Sequence, residues 1–116
     1  MALQIRSPGN QIKTTRFAHS ALVTRKVPVL ISSRVYVPLE SAAANEATDL
    51  VYEAEVSGGV KATGEAWTIG GAVYWDNTNT RFTTTSAGNT LCGRALEAAL
   101  AGDTVTPRFQ FNAFTA

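Results

Sequence analysis

Residues 48–56 carry the clearest alternation in the chain. Leu50, Tyr52, Ala54 and Val56 fall on one side and Asp49, Glu53 and Glu55 on the other, with Val51 out of step. A period of two over that length predicts a half-buried strand, broken or bulged at Ser57, Gly58 and Gly59. Phe109 and Phe111 against Arg108 and Gln110 repeat the pattern near the C-terminal end. Between them, Ala72, Val73, Tyr74 and Trp75 form a β-branched and aromatic run. It follows Gly70 and Gly71, which supply the φ > 0 positions of a tight turn, and precedes the turn-formers Asp76, Asn77, Thr78 and Asn79. Arg81, Phe82 and the threonines Thr83, Thr84 and Thr85 return as a second strand. The whole predicts a β-hairpin with a loop of about four or five residues.

The N-terminal part is less regular. Leu3 and Ile5 precede a turn cluster, Ser7, Pro8, Gly9 and Asn10, which reads as an extended arm. Residues 11–17 suit an edge strand. Residues 25–31 are a strand candidate that Pro28 confines to an edge or a strand start; Ser32 and Ser33 then turn the chain into Arg34, Val35, Tyr36 and Val37, with Pro38 ending that strand. Residues 41–47 read as a loop or a single helical turn, too short to stand alone as a helix. Residues 94–101 hold good helix formers with Leu96 and Leu100 at i, i+4, so two turns of helix are the local reading. About seven or eight short strands with frequent turn signals predict an all-β chain, a small single-domain β-barrel or β-sandwich. Residues 1–20 would be its extended N-terminal arm and residues 21–116 its β-rich domain. Tyr52, Trp67, Val73, Trp75, Phe109 and Phe111 are the expected core.

Composition sharpens this picture in two ways. Charged residues make up only 16 % of the 116 residues, below the roughly 25 % of an average soluble domain, as expected of a chain that covers part of its surface with a partner. The net charge of +1 hides a strong asymmetry. Arg6, Lys13, Arg16, Arg25, Lys26 and Arg34 all precede residue 40, where there is no carboxylate; residues 40–116 hold four bases against nine acids. A basic segment can be a nucleic-acid arm. These charges are spread rather than clustered, which favours packing on the acidic body of the same or a neighbouring chain, or on a shell of other subunits. The N-terminal residues lack a secretory apolar core, and no apolar run approaches the ~20 residues of a membrane span. A soluble protein, not exported by a classical signal and without a membrane partner, is expected.

Catalytic chemistry has little to work with. Cys92 is the only cysteine and His19 the only histidine, so no intrachain disulfide or thiolate zinc cage can form. His19 lies in a polar segment far along the chain from Cys92, and a triad needs three groups in fixed geometry; it reads as a bystander, and Cys92 as a small buried apolar residue. Glu53 and Glu55, two apart on one strand, have the spacing of a glycosidase-like pair but lack a pocket to raise one pKa. A solvated or partner-facing acidic strip is the better reading. Asp76 with Asn77 and Asn79 lacks the spacing of a calcium loop, and neither Gly58–Gly59 nor Gly70–Gly71 fits a phosphate loop. No metal and no cofactor are expected.

One succession of motifs goes further. Trp67-x-x-Gly70, Val73-Tyr-Trp-Asp76, Thr83-Thr-Thr85 and Asn89-Thr-Leu-Cys-Gly-Arg94, followed by Ala-rich sequence and Ala101-Gly-Asp103, resembles the tailed-phage capsid cement, or head decoration, family. The match is strongest over residues 51–108 and weaker over 25–41. Upstream the chain departs from the family, with Arg25 and Lys26 where Ser-Gly is usual and Ser32 and Ser33 where glycines are usual. The resemblance implies a strand entering a turn, not a helix, at residues 94–101. It also implies a non-enzymatic structural virion protein, made in the bacterial host cytoplasm and placed on the outer surface of the capsid. There it would bind the major capsid protein and hold neighbouring subunits together, as a homotrimer by preference or a dimer, with no direct genome contact. Leu3, Ile5, Arg6, Lys13, Arg16, Phe17, Arg25 and Lys26 would then reach the capsid or a neighbouring copy. The alternative is a small β-barrel that binds nucleic acid through the basic N-terminal segment; a carbohydrate-binding or adhesion domain is a third reading.

Overall fold

The alternating segment becomes the longest strand and organises the sheet. The computed structural model describes residues 3–6 and 12–112. Its nine strands are β1 (Gln4–Ile5), β2 (Lys13–Ala18), β3 (Val29–Ile31), β4 (Arg34–Pro38), β5 (Ala47–Ser57), β6 (Ala72–Asp76), β7 (Arg81–Thr83), β8 (Thr90–Ala95) and β9 (Phe109–Phe111). All named strands pair antiparallel in the order β3-β4-β5-β9-β8-β6-β7, with β1 and β2 added along β5. The all-β expectation is met by a single domain built on a curled sheet.

β5 serves two sets of neighbours. Its first half lies between β2 and β4, and its second half between β1 and β9. The register against β2 passes from Lys13↔Glu53 to Thr14↔Val51 and so skips Tyr52. This bulge switches which parity faces inward, and it explains why Val51 breaks the alternation: Val51, Ala54 and Val56 are all fully buried in one core. The same step turns Tyr52 outward. Expected in the core, Tyr52 is instead half-buried beneath the Arg34 guanidinium, whose Cζ lies 5.0 Å from the ring centroid.

The sheet curls until β7 meets the chain that leaves β5. Phe82 donates its N–H to Val60 O (2.8 Å) and accepts at its carbonyl from Ala62 N–H (2.9 Å). Inside, aromatic rings run in series: Trp75 to Phe82 at 4.8 Å, Phe82 to Phe109 at 4.9 Å and Trp67 to Phe109 at 5.6 Å. Val73 and Phe111 are buried beside them.

The segment expected as an arm lies along β5 wherever it is described. Leu3 is 2 % exposed and donates its N–H to Lys26 O. Gly59 makes room for it: a Cβ there would lie 2.8 Å from both Leu3 Cδ2 and Phe82 Cε2.

No helix occurs among the described residues. At residues 94–101 the backbone donors of Ala95 and Ala99 are taken by Gly71 O and Trp67 O, so the i, i+4 leucines end on the outside of a strand and turn. Residues 41–46 are a loop, with Ala47 already in β5; Glu46 caps it, its Oε1 accepting from Ala43 N–H at 3.1 Å. The hairpin of β6 and β7 pairs Trp75↔Phe82 and Asp76↔Arg81. Its turn is held by the Asp76 carboxylate, which accepts from the N–H groups of Thr78 and Asn79 and from Asn79 Nδ2.

Candidate docking surface

Part of the charge asymmetry read from the sequence is satisfied within the chain: two of the six N-terminal bases, Lys13 and Arg16, meet carboxylates. Pairing of β2 with β5 sets Lys13 opposite Glu53 and Arg16 opposite Asp49, and the side chains meet at 2.9 and 3.3 Å. The hydrogen bond to Glu53, reinforced by its charge, raises the Lys13 pKa. Both bases remain 60 % or more exposed, so the pairs fix register and local charge more than stability. Glu55 is met by Arg108 at 2.7 Å, which also faces Glu97 at 3.6 Å. The acidic strip of β5 is therefore half-buried and paired.

The other N-terminal candidates divide. Leu3 is in the core and Ile5 packs against it. Arg6 donates from Nε to Ser57 Oγ at 2.8 Å, and Phe17 stands edge-on to Tyr36 at 5.6 Å. Arg25 is exposed in a turn that its N–H ties to Ser41 Oγ. Lys26 holds a left-handed φ of 61° there and donates its N–H to Pro38 O. The structure thus brings Leu3 and Lys26 together, and separately aligns Lys13, Arg16 and Phe17 along one strand.

A second feature was not read from the sequence. Residues 64–71 pair irregularly with residues 95–101, through Trp67 and Ala99 in both directions and through Gly70 N–H to Ala95 O. This ribbon carries Ile69 and Leu100, each 74 % exposed. Two buried or half-buried polar groups hold it. Lys61, 2 % exposed, donates from Nζ to Ala62 O at 3.0 Å, Glu65 O at 2.6 Å and Asp103 O at 3.3 Å. Carbonyl oxygens thus satisfy an ammonium that burial would otherwise penalise. Glu65 gathers the threonine run, accepting from the hydroxyls of Thr83 and Thr85 at 2.7 Å and from Thr84 N–H at 2.9 Å. A lone lysine between Val60 and Ala62 was the available signal for the first. Nothing local announces the second, because the donors are about twenty residues away.

Glu65 gives this region a pH dependence. Burial works against its charge, but the Thr84 N–H and the Thr83 and Thr85 hydroxyls together outweigh it and lower the pKa from 4.5. Asp76 is also lowered, from 3.8, chiefly by the Asn79 side chain. A carboxylate with a depressed folded pKa contributes stability that is fully present above its unfolded value and is lost as pH falls through the folded one. Thermal melts should therefore hold a constant midpoint from neutral pH to about 5 and fall below about 4.5. Glu65→Gln should lower the neutral-pH midpoint and flatten the acid fall; a variant curve parallel to wild type throughout would exclude Glu65 as a contributor.

The surface offers little to covalent chemistry. Burial pushes the Cys92 thiol far up, and His19 accepts at its backbone carbonyl from Asn45 N–H. Among the described residues, no three His, Cys, Asp or Glu side chains stand together to hold a metal ion. What remains is a β body with paired charges along one strand pair and exposed apolar side chains on a tethered ribbon. Comparison with curated proteins and with solved structures found no match. A family model described as phage cement protein matches residues 7–110, and the chain belongs to that phage cement protein family.

Proposed function

We propose that this protein binds the outer surface of an assembled icosahedral phage head and stabilises contacts between major capsid subunits. Family membership supplies the coarser part, a structural role associated with the virion capsid. The match over residues 7–110 carries the reading, because it spans the body and the ribbon together. Exposed Ile69 and Leu100 support it, since contacts of this kind gain by burial against a partner. Lys13, Arg16, Phe17, Arg25 and Lys26 are the N-terminal side chains left to reach the capsid or a neighbouring copy. Leu3, Ile5 and Arg6 act behind them by fixing the segment to the body.

The mechanism is linkage. A ligand that binds only the assembled lattice stabilises it by its binding free energy, and a homotrimer, or a dimer, repeats the contact so that modest sites become avid. Pairing of Lys13 and Arg16 with carboxylates favours a protein partner over phosphates, because paired bases release few counterions from nucleic acid. Calorimetry of purified expanded heads tests the reading. Saturating heads with the protein should raise their disruption temperature; heads that melt identically with and without it would contradict stabilisation.

A further inference from the structure

We propose that the concave surface over β2, β5 and β4 is a carboxylate socket, which takes an Asp or Glu side chain from an acidic segment of the capsid partner onto Arg34. The inference rests on the proposed function and names the chemistry of its partner. The cleft measures about 400 Å³ and is lined by Thr14, Thr15, Arg34, Tyr36 and Tyr52. The bulge on β5 delivers Tyr52 to it, and Arg34 lies over that ring at 5.0 Å.

Arg34 differs from the two bases of β2 that flank the cleft. Lys13 and Arg16 each face a carboxylate, whereas the Arg34 side chain has no ion pair and no hydrogen bond among the described residues. Stacking on an aromatic face restrains a guanidinium while leaving its in-plane N–H fork open, the geometry that receives a carboxylate in two parallel hydrogen bonds. The hydroxyls of Thr14, Thr15, Tyr36 and Tyr52 also lack hydrogen bonds among the described residues, so further donors surround the same space. An Arg with tyrosines is the side-chain set that concentrates binding energy in protein interfaces.

Charge selects the occupant. Single-stranded nucleic acid would find aromatic rings here but needs a track of free cations. The flanking Lys13 and Arg16 are held by Glu53 and Asp49, which leaves one uncompensated positive charge at the cleft. That matches one carboxylate from a protein segment.

The test measures binding of wild type, Arg34→Gln and Arg34→Lys to purified expanded heads by co-sedimentation, with thermal melts of each free protein. Arg34→Gln should bind about tenfold or more weakly, with its salt dependence reduced and its melting midpoint unchanged. Arg34→Lys should recover part of the loss, because it restores charge without the fork. Wild-type decoration together with full-strength binding by Arg34→Gln would overturn the socket and leave the proposed function standing. Failure of wild type to bind heads would overturn both. An oligothymidine probe that binds wild type, loses affinity in Arg34→Gln and competes with heads would overturn the carboxylate assignment in favour of nucleic acid.

Discussion

Trp75→Ala lowers the unfolding free energy by about 3–5 kcal/mol, read as a shift in the denaturant midpoint at unchanged slope. Trp75 is 2 % exposed, at the middle of the β6–β7 hairpin, opposite Phe82 in the register. Removing the indole leaves a cavity beside the ring series that joins Phe82 to Phe109 and Trp67. Phe82, paired with Trp75 and held in β7, can relax only partly, so the cost combines lost burial with an unfilled void. It also removes the hydrogen bond from Trp75 Nε1 to Asn77 Oδ1 at 3.1 Å, which helps set the turn. A variant that unfolded at the wild-type midpoint would place Trp75 outside the core.

Gly93→Ala is expected to cost about 3 kcal/mol, at the upper end of overpacking effects. The sign is the informative part. Where the native backbone suits any residue, replacing Gly by Ala stabilises by restricting the unfolded chain. Gly93 has no positive φ, so that argument alone favours alanine. Yet β8 runs so close to β9 that a Cβ at Gly93 would collide with the carbonyl oxygen of Gln110 and approach Phe109 Cδ2 to 3.0 Å. A carbonyl in a paired strand cannot step aside without breaking the Gly93↔Phe111 and Arg94↔Gln110 register. Gly102 is the control, for a Cβ there meets nothing within 4 Å, and Gly102→Ala should be neutral or slightly stabilising. Equal midpoints for the two variants would contradict the close β8–β9 approach.

Gly93 also illustrates how much of the fold could be read in the chain. It stands inside the motif Asn89-Thr-Leu-Cys-Gly, visible as a pattern, but its physical reason is a contact with a strand about seventeen residues later. The hairpin of β6 and β7 is legible because its main determinants are local: a glycine turn before it, β-branched and aromatic residues within it, and an Asp-Asn turn that caps itself. Its second strand nevertheless ends at Thr83 rather than Thr85, where Glu65 takes the next threonines, and only Gly70 of the glycine pair has a positive φ. Residues 94–101 misled in their local reading, since helix propensity and an i, i+4 leucine pair count for little once Trp67 and Gly71 capture the backbone donors. Tyr52 misled for a related reason. Alternation was extended across residue 52, whereas the bulge opposite Lys13 and Thr14 reverses the inward face at that point.

The surface was harder to read than the core. Composition revealed the basic N-terminal part and the acidic remainder, yet it could not show that Lys13 and Arg16 would find Glu53 and Asp49 across one strand pair. With these two bases paired, Arg34 is set apart by its stacking on the Tyr52 ring. Lys61 and Glu65 are hard to read from the chain because their partners, three carbonyls and a threonine run, have no signature in adjacent residues. Leu100 reads locally as part of a helix or a turn, and it forms a surface with Ile69 only because residues 64–71 and 95–101 pair.

Co-sedimentation of the purified protein with expanded, DNA-free heads of its own phage tests the central claim most directly. Saturable binding at a fixed ratio of protein to major capsid subunit, undiminished by nuclease, is the predicted result. Protein that stays in the supernatant at every concentration, or that pellets only with DNA-filled particles, would contradict it.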